Sequence, residues 1–433
     1  MGEFPLIYFL VAQLWNIFGY HEFIFRLLNL LIFFTALFFL FKILEDKLED
    51  SFWALIIVLL LFTSPLLVYY ANNFLPNVPA FSFGIFGFYN FYQFYKKGKN
   101  SFLYLSCFFF LLAGLIKITS IIGFVCVVGI FLFERLHLLK RKDGTSIFRQ
   151  PLKQIVPLAM TIIALLSWTY YVRYYNERNK SSIFLTSVLP LWNVTYNQFE
   201  LTLLGIKENF KWNYFRPIEE IFLLIQFLLL FIYKKRVNSY LSFINIVLAL
   251  SMLIFFLFFF QNLNLHDYYL IDFVLLVPAI SLTFFSILKE RFYKVYHSPY
   301  TRLIFMIFLI HNIDFARRRI NARYESPLTN PNQSSLNNTL NNITPYLRRI
   351  GINRNDRVIC FPDGSPNTSL YLMDQKGWTN FNVPMDSLSI RNRIVQGAKY
   401  LIICDNELYK NKQLEPFLGK KIGSYKTVEI FGL

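Results

Sequence analysis

Four short stretches stand out for ionisable or strongly polar side chains set at the junctions of apolar runs. The first runs Gly2-Glu3-Phe4-Pro5-Leu6 and continues, after an apolar segment, to His21-Glu22-Phe23-Ile24-Phe25-Arg26. Glu3 suits a metal ion or a cationic sugar group, and Arg26 suits a phosphate, to which it offers a planar fork of donors. The same charges would also serve as solvated interface residues, with Arg26 snorkelling towards water. The second stretch, from Ser64-Pro65 to Asn77-Val78-Pro79, crowds Asn72, Asn73 and Asn77 into one turn. Asn77 can hydrogen-bond a sugar hydroxyl, although Asn and Pro are also good turn formers. The third is Lys117, set between two apolar runs, where an ammonium group needs water, an acidic partner or an anion such as a lipid-linked phosphate. The fourth is His266-Asp267-Tyr268-Tyr269. His266 and Asp267, with Glu3, could ligate a divalent cation, or bind a pyrophosphate through one. The tyrosines would line a substrate or sit in an interfacial aromatic belt.

The elements that must position these groups are membrane spans. Of 433 residues, 55% are hydrophobic and 16% charged, with 51 Phe and 27 Tyr. No Asp, Glu, Lys or Arg occurs over 51–95 or over 237–265. Both runs exceed the roughly 20 residues that cross a ~30 Å hydrocarbon layer. The composition excludes disordered, collagen-like and disulfide-scaffold classes. The apolar runs predict an all-α polytopic transmembrane bundle of about ten spans: 22–41, 52–70, 78–95, 101–116, 118–134, 154–172, 218–233, 239–260, 268–288 and 302–314.

The net charge of +17 would suggest nucleic acid in a soluble protein. Here it fits loops beside anionic lipid, and no nucleic acid is expected as a partner. Taking alternate loops, one side carries Lys42 and Lys47, then Lys96, Lys97 and Lys99, then the basic run from Arg135 to Lys153, then Lys234 to Arg236, then Lys289 to Arg302. The short opposite loops, 71–77 and 261–267, carry no Lys or Arg. The basic side is therefore expected to be cytoplasmic. All four chemical stretches then fall at the outer face of the inner membrane. The 173–217 loop is also placed outside, as is everything past the last span. Residues 1–21 are read as an interfacial remnant of the first outer loop, which predicts a further helix ahead of them.

Residues 1–314 thus form the transmembrane domain, 315–345 a polar linker, and 346–433 a small extracytoplasmic α/β domain. In the last, 357–363 and 400–404 read as strands, 386–396 as an amphipathic helix, and Ser365-Pro366 as a helix start. Residues 426–431 read as a further strand. Cys360 and Cys404 could pair if that domain is extracytoplasmic. No Walker loop, CxxC pair, HExxH or GxSxG motif occurs, and intramembrane charges do not line several spans as in a proton relay.

At these stretches the chain resembles membrane glycosyltransferases of the GT-C class, in the bacterial family-39-like group of protein mannosyltransferases and lipid A aminoarabinose transferase. The resemblance rests on Pro5 to Gly19, Glu22-Phe23 with Arg26-Leu27, Ser64 to Pro79, Gly114 to Lys117, and His266 to Tyr269, in that order. It implies transfer of a sugar, with inversion, from a polyprenyl-phosphate carrier to a glycan, lipid or protein acceptor outside the cytosol. It implies an acidic residue as base in the first outer loop, ahead of the Glu3-Phe4-Pro5 position, and a second acid after the proline of the second outer loop, where this chain has Asn77. Glu3 and Asn77 are the catalytic candidates in this sequence. Arg26, Lys117, Tyr268 and Tyr269 are implied to bind phosphate or substrate. A divalent ion on Glu3, His266 and Asp267 is the one cofactor it leaves open. The competing readings are a flippase for lipid-linked oligosaccharide and a non-catalytic protein of GT-C shape.

Overall fold

The structure, a computed structural model, describes residues 3–141, 143–179, 184, 188–233, 238–325 and 331–433. The chain divides into two compact units, Met1–Ala322 and Arg323–Leu433.

The first unit is a helical bundle. In order it holds α1 (Leu6–Phe18), α2 (Glu22–Leu48), α3 (Ser51–Leu60), α4 (Pro65–Ala71), α5 (Asn77–Lys97), α6 (Asn100–Ile116) and α7 (Ile122–Arg135). It continues with α8 (Pro151–Asn179), α9 (Tyr196–Phe210), α10 (Pro217–Ile232), α11 (Ser239–Phe258), the one-turn α12 (Asn262–Leu265), α13 (Leu276–Arg291), the one-turn α14 (Tyr293–Tyr296) and α15 (Pro299–Glu325). Among the described residues, five helices are long and apolar enough to cross a membrane, and a bent pair makes a sixth. Of the other expected spans, α6 and α10 are short, at 17 and 16 residues, and α5 and α15 are too polar to qualify by composition.

The bent pair occupies the span expected at 52–70 and breaks it in the middle. Helix α3 and a short 3-10 turn end at Thr63, and α4 leaves at 82° to them. The cause is local: Pro65 disfavours helical backbone at the residue before it. Ser64 is accordingly extended, and its hydroxyl accepts from the Leu67 N–H as the cap of α4. Two further departures shape the bundle. The expected outer loop 173–217 contains the last turns of α8 and all of α9. Helix α9 is started by a reciprocal Thr195/Gln198 capping box. It approaches α12 so closely that a Cβ on Gly205 would lie 2.0 Å from Asn264 Oδ1. Nor does the final helix stop near 314; α15 runs on to Glu325.

The aromatic wealth of the sequence fills the core. Fully buried Trp53 stacks on Phe285 at 4.5 Å between ring centroids and meets Phe305 edge-on at 5.1 Å. The basic residues of the alternate loops gather at one end of this unit. Lys96 pairs with Asp46, Lys289 with Glu49 and the Leu48 carbonyl, Arg302 with Asp50, and Arg141 donates to the Tyr95 carbonyl.

The second unit is a five-stranded sheet in the order β2-β1-β3-β5-β4. Its strands are β1 (Arg357–Phe361), β2 (Lys376–Trp378), β3 (Ala398–Ile403), β4 (Lys421–Tyr425) and β5 (Val428–Gly432). The first three are parallel; β5 pairs antiparallel with β3 and β4. Helices α16 (Pro331–Asn341), α17 (Thr344–Arg349), α18 (Thr368–Leu372) and α19 (Ser387–Val395) complete it. So part of the stretch expected as linker is helical. Helix α18 starts at Thr368, not at Pro366, because the Asp363 carboxylate accepts from the Ser365 and Ser369 N–H groups and holds 363–367 as a turn. Gly377 is required where β2 meets β1: a Cβ there would lie 1.9 Å from the Val358 carbonyl oxygen. Cys360 and Cys404 are buried free thiols with sulfurs 3.5 Å apart.

Candidate functional site

The strand leading into α1 is tied to the end of α6, where the Phe4 N–H donates to the Leu115 carbonyl at 2.8 Å. Below it, Ile7 and Val11 of α1 bury against Phe25, Ala80 and Ile116. This knot of α1, α2, α5 and α6 sets half-buried Glu3 within electrostatic reach of Lys117. Burial pushes the Glu3 carboxyl above the usual glutamate range, and the Lys117 ammonium pulls it partly back.

Lys117 sits in extended backbone between α6 and a 3-10 turn over 118–121 and is only 3% exposed. Its Nζ lies 3.2 Å from Asp272 Oδ2 and donates to the Tyr268 carbonyl at 3.5 Å. Asp272 is fully buried and collects further donors from the same turn: Thr119 Oγ1 at 2.5 Å and the Ser120 hydroxyl. The arrangement is a neutral ion pair whose carboxylate is fully hydrogen-bonded, which is the condition for keeping both charges in an apolar interior.

Asp272 is carried by a nine-residue 3-10 segment, Asp267–Leu275, that precedes α13. Runs of that geometry beyond three or four residues are uncommon and often mark functional positions. Here side-chain hydrogen bonds hold it. The Tyr70 hydroxyl donates to Asp267 Oδ1 at 2.7 Å. The Tyr214 hydroxyl donates to the Asp267 carbonyl and accepts from the Leu270 N–H at 3.1 Å. The His266 ring stacks on Tyr268 at 4.9 Å, and Tyr70 meets Tyr268 edge-on at 5.5 Å. Tyr269 turns into the core, 6% exposed. Burial lowers the His266 imidazole below its usual value, opposed by the Asp267 carboxylate.

The remaining wall is the 72–77 turn. Asn29, one turn along α2 from Arg26, donates through Nδ2 to the Asn73 carbonyl at 2.7 Å and to Leu75 at 3.3 Å. The Arg26 guanidinium lies over the Phe74 ring at 4.7 Å. Asn77, the buried first residue of α5, has its Nδ2 without a hydrogen-bond partner, and Arg26 Nε also lacks one. Two donors around one turn are thus left for an acceptor that the fold does not supply.

Lys117, Tyr268, His266 and Asp267 are therefore linked through successive contacts, Glu3 lies within electrostatic reach of Lys117, and Arg26 and Asn77 flank the adjoining turn. The expected metal set is not assembled. Among the described residues no group of three His, Cys, Asp or Glu side chains could hold an ion. Glu3, His266 and Asp267 are not gathered into one such group.

Residues 3–171 match the sequence model of the family described as dolichyl-phosphate-mannose-protein mannosyltransferase. No curated protein sequence matches the chain. Among solved structures, ArnT from Cupriavidus metallidurans in the apo state is similar, with a TM-score of 0.61 and 10% identity over 99% of this chain and 87% of that one. The Archaeoglobus fulgidus oligosaccharyltransferase, in complex with zinc and sulfate, gives a TM-score of 0.55 and 12% identity over 94% of this chain and 60% of that one. The arabinofuranosyltransferase AftD from Mycobacteria gives 0.53 and 12%, over 97% of this chain and 36% of that one. The chain has the GT-C fold of membrane glycosyltransferases.

Within that GT-C frame the matched segment contains Glu3, Arg26, Asn77 and Lys117, whereas 266–272 lies beyond it. Sequence reasoning did not single out Asn29, Tyr70, Thr119, Ser120, Tyr214 or Asp272. One signal was available. Asp272 is the only acidic residue in the run expected to span 268–288, and an ionisable residue in such a run is a functional candidate by default.

Proposed function

We propose that this GT-C protein moves a sugar from a polyprenyl-phosphate carrier to a glycan, lipid or protein acceptor on the extracytoplasmic side of the inner membrane. The observation that carries the reading is the pair of unpartnered donors, Arg26 Nε and Asn77 Nδ2, beside a buried polar cluster at the end of the bundle away from the basic loops. An anionic carrier headgroup with sugar hydroxyls is the acceptor such donors lack.

The chemistry follows from the charges. The acceptor hydroxyl oxygen bonds to the anomeric carbon as the bond from that carbon to the phosphate oxygen breaks. The electron pair leaves with the phosphate, and the hydroxyl proton passes to the Glu3 carboxylate. Arg26 neutralises the phosphate, and Asn77 hydrogen-bonds a sugar hydroxyl. Lys117 is charge-compensated by Asp272. It therefore adds a donor and fixes its turn, whereas Arg26 supplies the net positive charge. Tyr268 offers its ring to the sugar.

The test uses the full chain in liposomes containing polyprenyl-phosphate sugars and membrane-extracted acceptors, with labelled sugar followed into product. Arg26→Ala should lower transfer about a hundredfold, the loss typical of removing a donor that stabilises developing charge. Unchanged turnover would remove Arg26 from the reaction. A second reading, transport of a lipid-linked sugar, draws on polar residues buried deeper in the bundle: Glu219, Gln226, Asn245 and Asn312. Gln226 accepts from Ser281, and Asn245 donates to Thr283, so these two also serve packing. Sugar crossing the bilayer without transfer to any acceptor would favour that reading.

A further inference from the structure

A second polar arrangement lies far along the bundle from the cluster described above, among the basic loops. There α2, α5, α11 and α13 enclose a cavity of about 390 Å³. Its deep wall is apolar, with Leu40, Ile85, Leu248 and Leu282, and it reaches Leu275 at the end of the 3-10 segment. Its rim is polar, and most of that rim is already committed. The Tyr92 hydroxyl donates to Asp46, the Tyr240 hydroxyl to Glu134 at 2.5 Å, and Ser286 Oγ to the Leu282 carbonyl at 2.7 Å.

Two charged rim residues are different. Lys47 and Glu290 both line the cavity and are solvent-exposed. The acids next to Lys47 in sequence are engaged elsewhere: Asp46 by Lys96, and Glu49 by Lys289. Among the described residues neither Lys47 nor Glu290 has an ion-pair partner. The Lys47 ammonium rests instead over the rings of Tyr92 and Tyr95, at 5.0 and 4.7 Å. The cavity therefore presents an apolar shaft with one cation and one carboxylate at its mouth.

We infer that this cavity binds a zwitterionic aminophospholipid, with an acyl chain in the shaft, the phosphate at Lys47 and the primary ammonium at Glu290. An anionic phospholipid would satisfy Lys47 but bring its charge against Glu290. A choline headgroup would satisfy the charges but has no N–H to donate to the carboxylate. The site does not depend on the sugar-transfer reading, since it shares no residue with that cluster.

The experiment is native mass spectrometry of the full chain in mild detergent, with phosphatidylethanolamine, phosphatidylglycerol and phosphatidylcholine of matched acyl chains supplied at equal concentration. One phosphatidylethanolamine should be retained about tenfold better than the other two, the scale of a charge-assisted hydrogen bond. Glu290→Ala, which removes the acceptor, should erase the preference over phosphatidylcholine. Lys47→Ala should weaken retention about fivefold, as loss of a rim ion pair would. Ala279→Phe should block the shaft, and Lys99→Ala, exposed and outside the cavity, should change nothing. The exposed rim variants keep the test open if the phenylalanine prevents folding. Equal retention of all three lipids, preference for phosphatidylglycerol, or binding unaltered by both rim variants would overturn the site.

Discussion

The two ends of the helical unit handle charge in opposite ways. At the basic end the ions are plentiful and wet. Lys96 and Asp46 pair at 2.6 Å with side chains 42% and 39% exposed, a setting in which a pair contributes about 0–1 kcal/mol. At the other end ions are few and dry. Lys117 and Asp272 pair at 3.2 Å with side chains 2% and 0% exposed. The contrast teaches that charge count marks the loop end of the bundle, whereas desolvation marks the buried polar cluster. An exposed pair is dispensable. A buried one must be complete, and beside it Arg26 Nε and Asn77 Nδ2 are left without a hydrogen-bond partner.

The largest effect that would break this contrast comes from Asp272→Ala. It strands the Lys117 ammonium in an apolar site and should cost about 3–5 kcal/mol, read as a drop in the unfolding midpoint of the detergent-solubilised chain. A midpoint within a degree of the parent would mean that water reaches Lys117. Next in size, Lys117→Met combined with Asp272→Leu replaces both charges by apolar volume and should recover most of that stability. Sugar transfer should stay low, because the turn has lost its donor. Recovery of both would make the pair purely structural.

A smaller effect concerns pH. Burial holds the folded Glu3 carboxyl above its ordinary value, so the carboxylate needed as base disappears on acidification at a higher pH than an exposed glutamate would. Transfer should therefore fall as pH drops through that raised value, and Glu3→Gln should abolish this limb along with most activity. The stability linkage has the opposite direction. The folded state holds the Glu3 proton more tightly, so its contribution is full below the unfolded value and is lost as pH rises through the folded one. Glu3→Gln should flatten that slope in unfolding midpoints taken across the pH range. The smallest change expected is from Lys96→Ala at the basic end, within about 1 kcal/mol in stability and with no effect on transfer.

Much of this contrast was legible in the residues themselves. Charge-free runs gave the helices, and Lys and Arg in alternate loops gave a common end. Glu3, Arg26, Asn77, Lys117 and His266 stood out as polar groups at helix ends. What stayed hidden required three dimensions. Asp272 is 155 positions from Lys117, and no local pattern announces so distant a partner. Tyr70 and Tyr214 read as ordinary aromatics until their hydroxyls are seen to hold Asp267. The Ser64-Pro65 break was visible as a turn-former, yet the apolar residues on both sides read as one span because hydrophobicity says nothing about an 82° bend. In the smaller unit, β2 was missed because a three-residue strand around Gly377 lacks the β-branched pattern of β1 and β3. Helix α18 was placed two residues early because Ser365-Pro366 looks like a cap and first helical residue. Ser365 Oγ does accept from the Thr368 N–H, but Asp363 accepts from the Ser365 and Ser369 N–H groups and holds the intervening residues out of the helix.

The most direct test of the central claim is a cryo-EM structure of the full chain with polyprenyl phosphate bound. The account predicts phosphate density within hydrogen-bonding reach of Arg26 and Asn77, beside the Lys117–Asp272 pair. Carrier phosphate found instead among the basic loops near Lys96 and Lys289, with Arg26 and Asn77 unengaged, would contradict it.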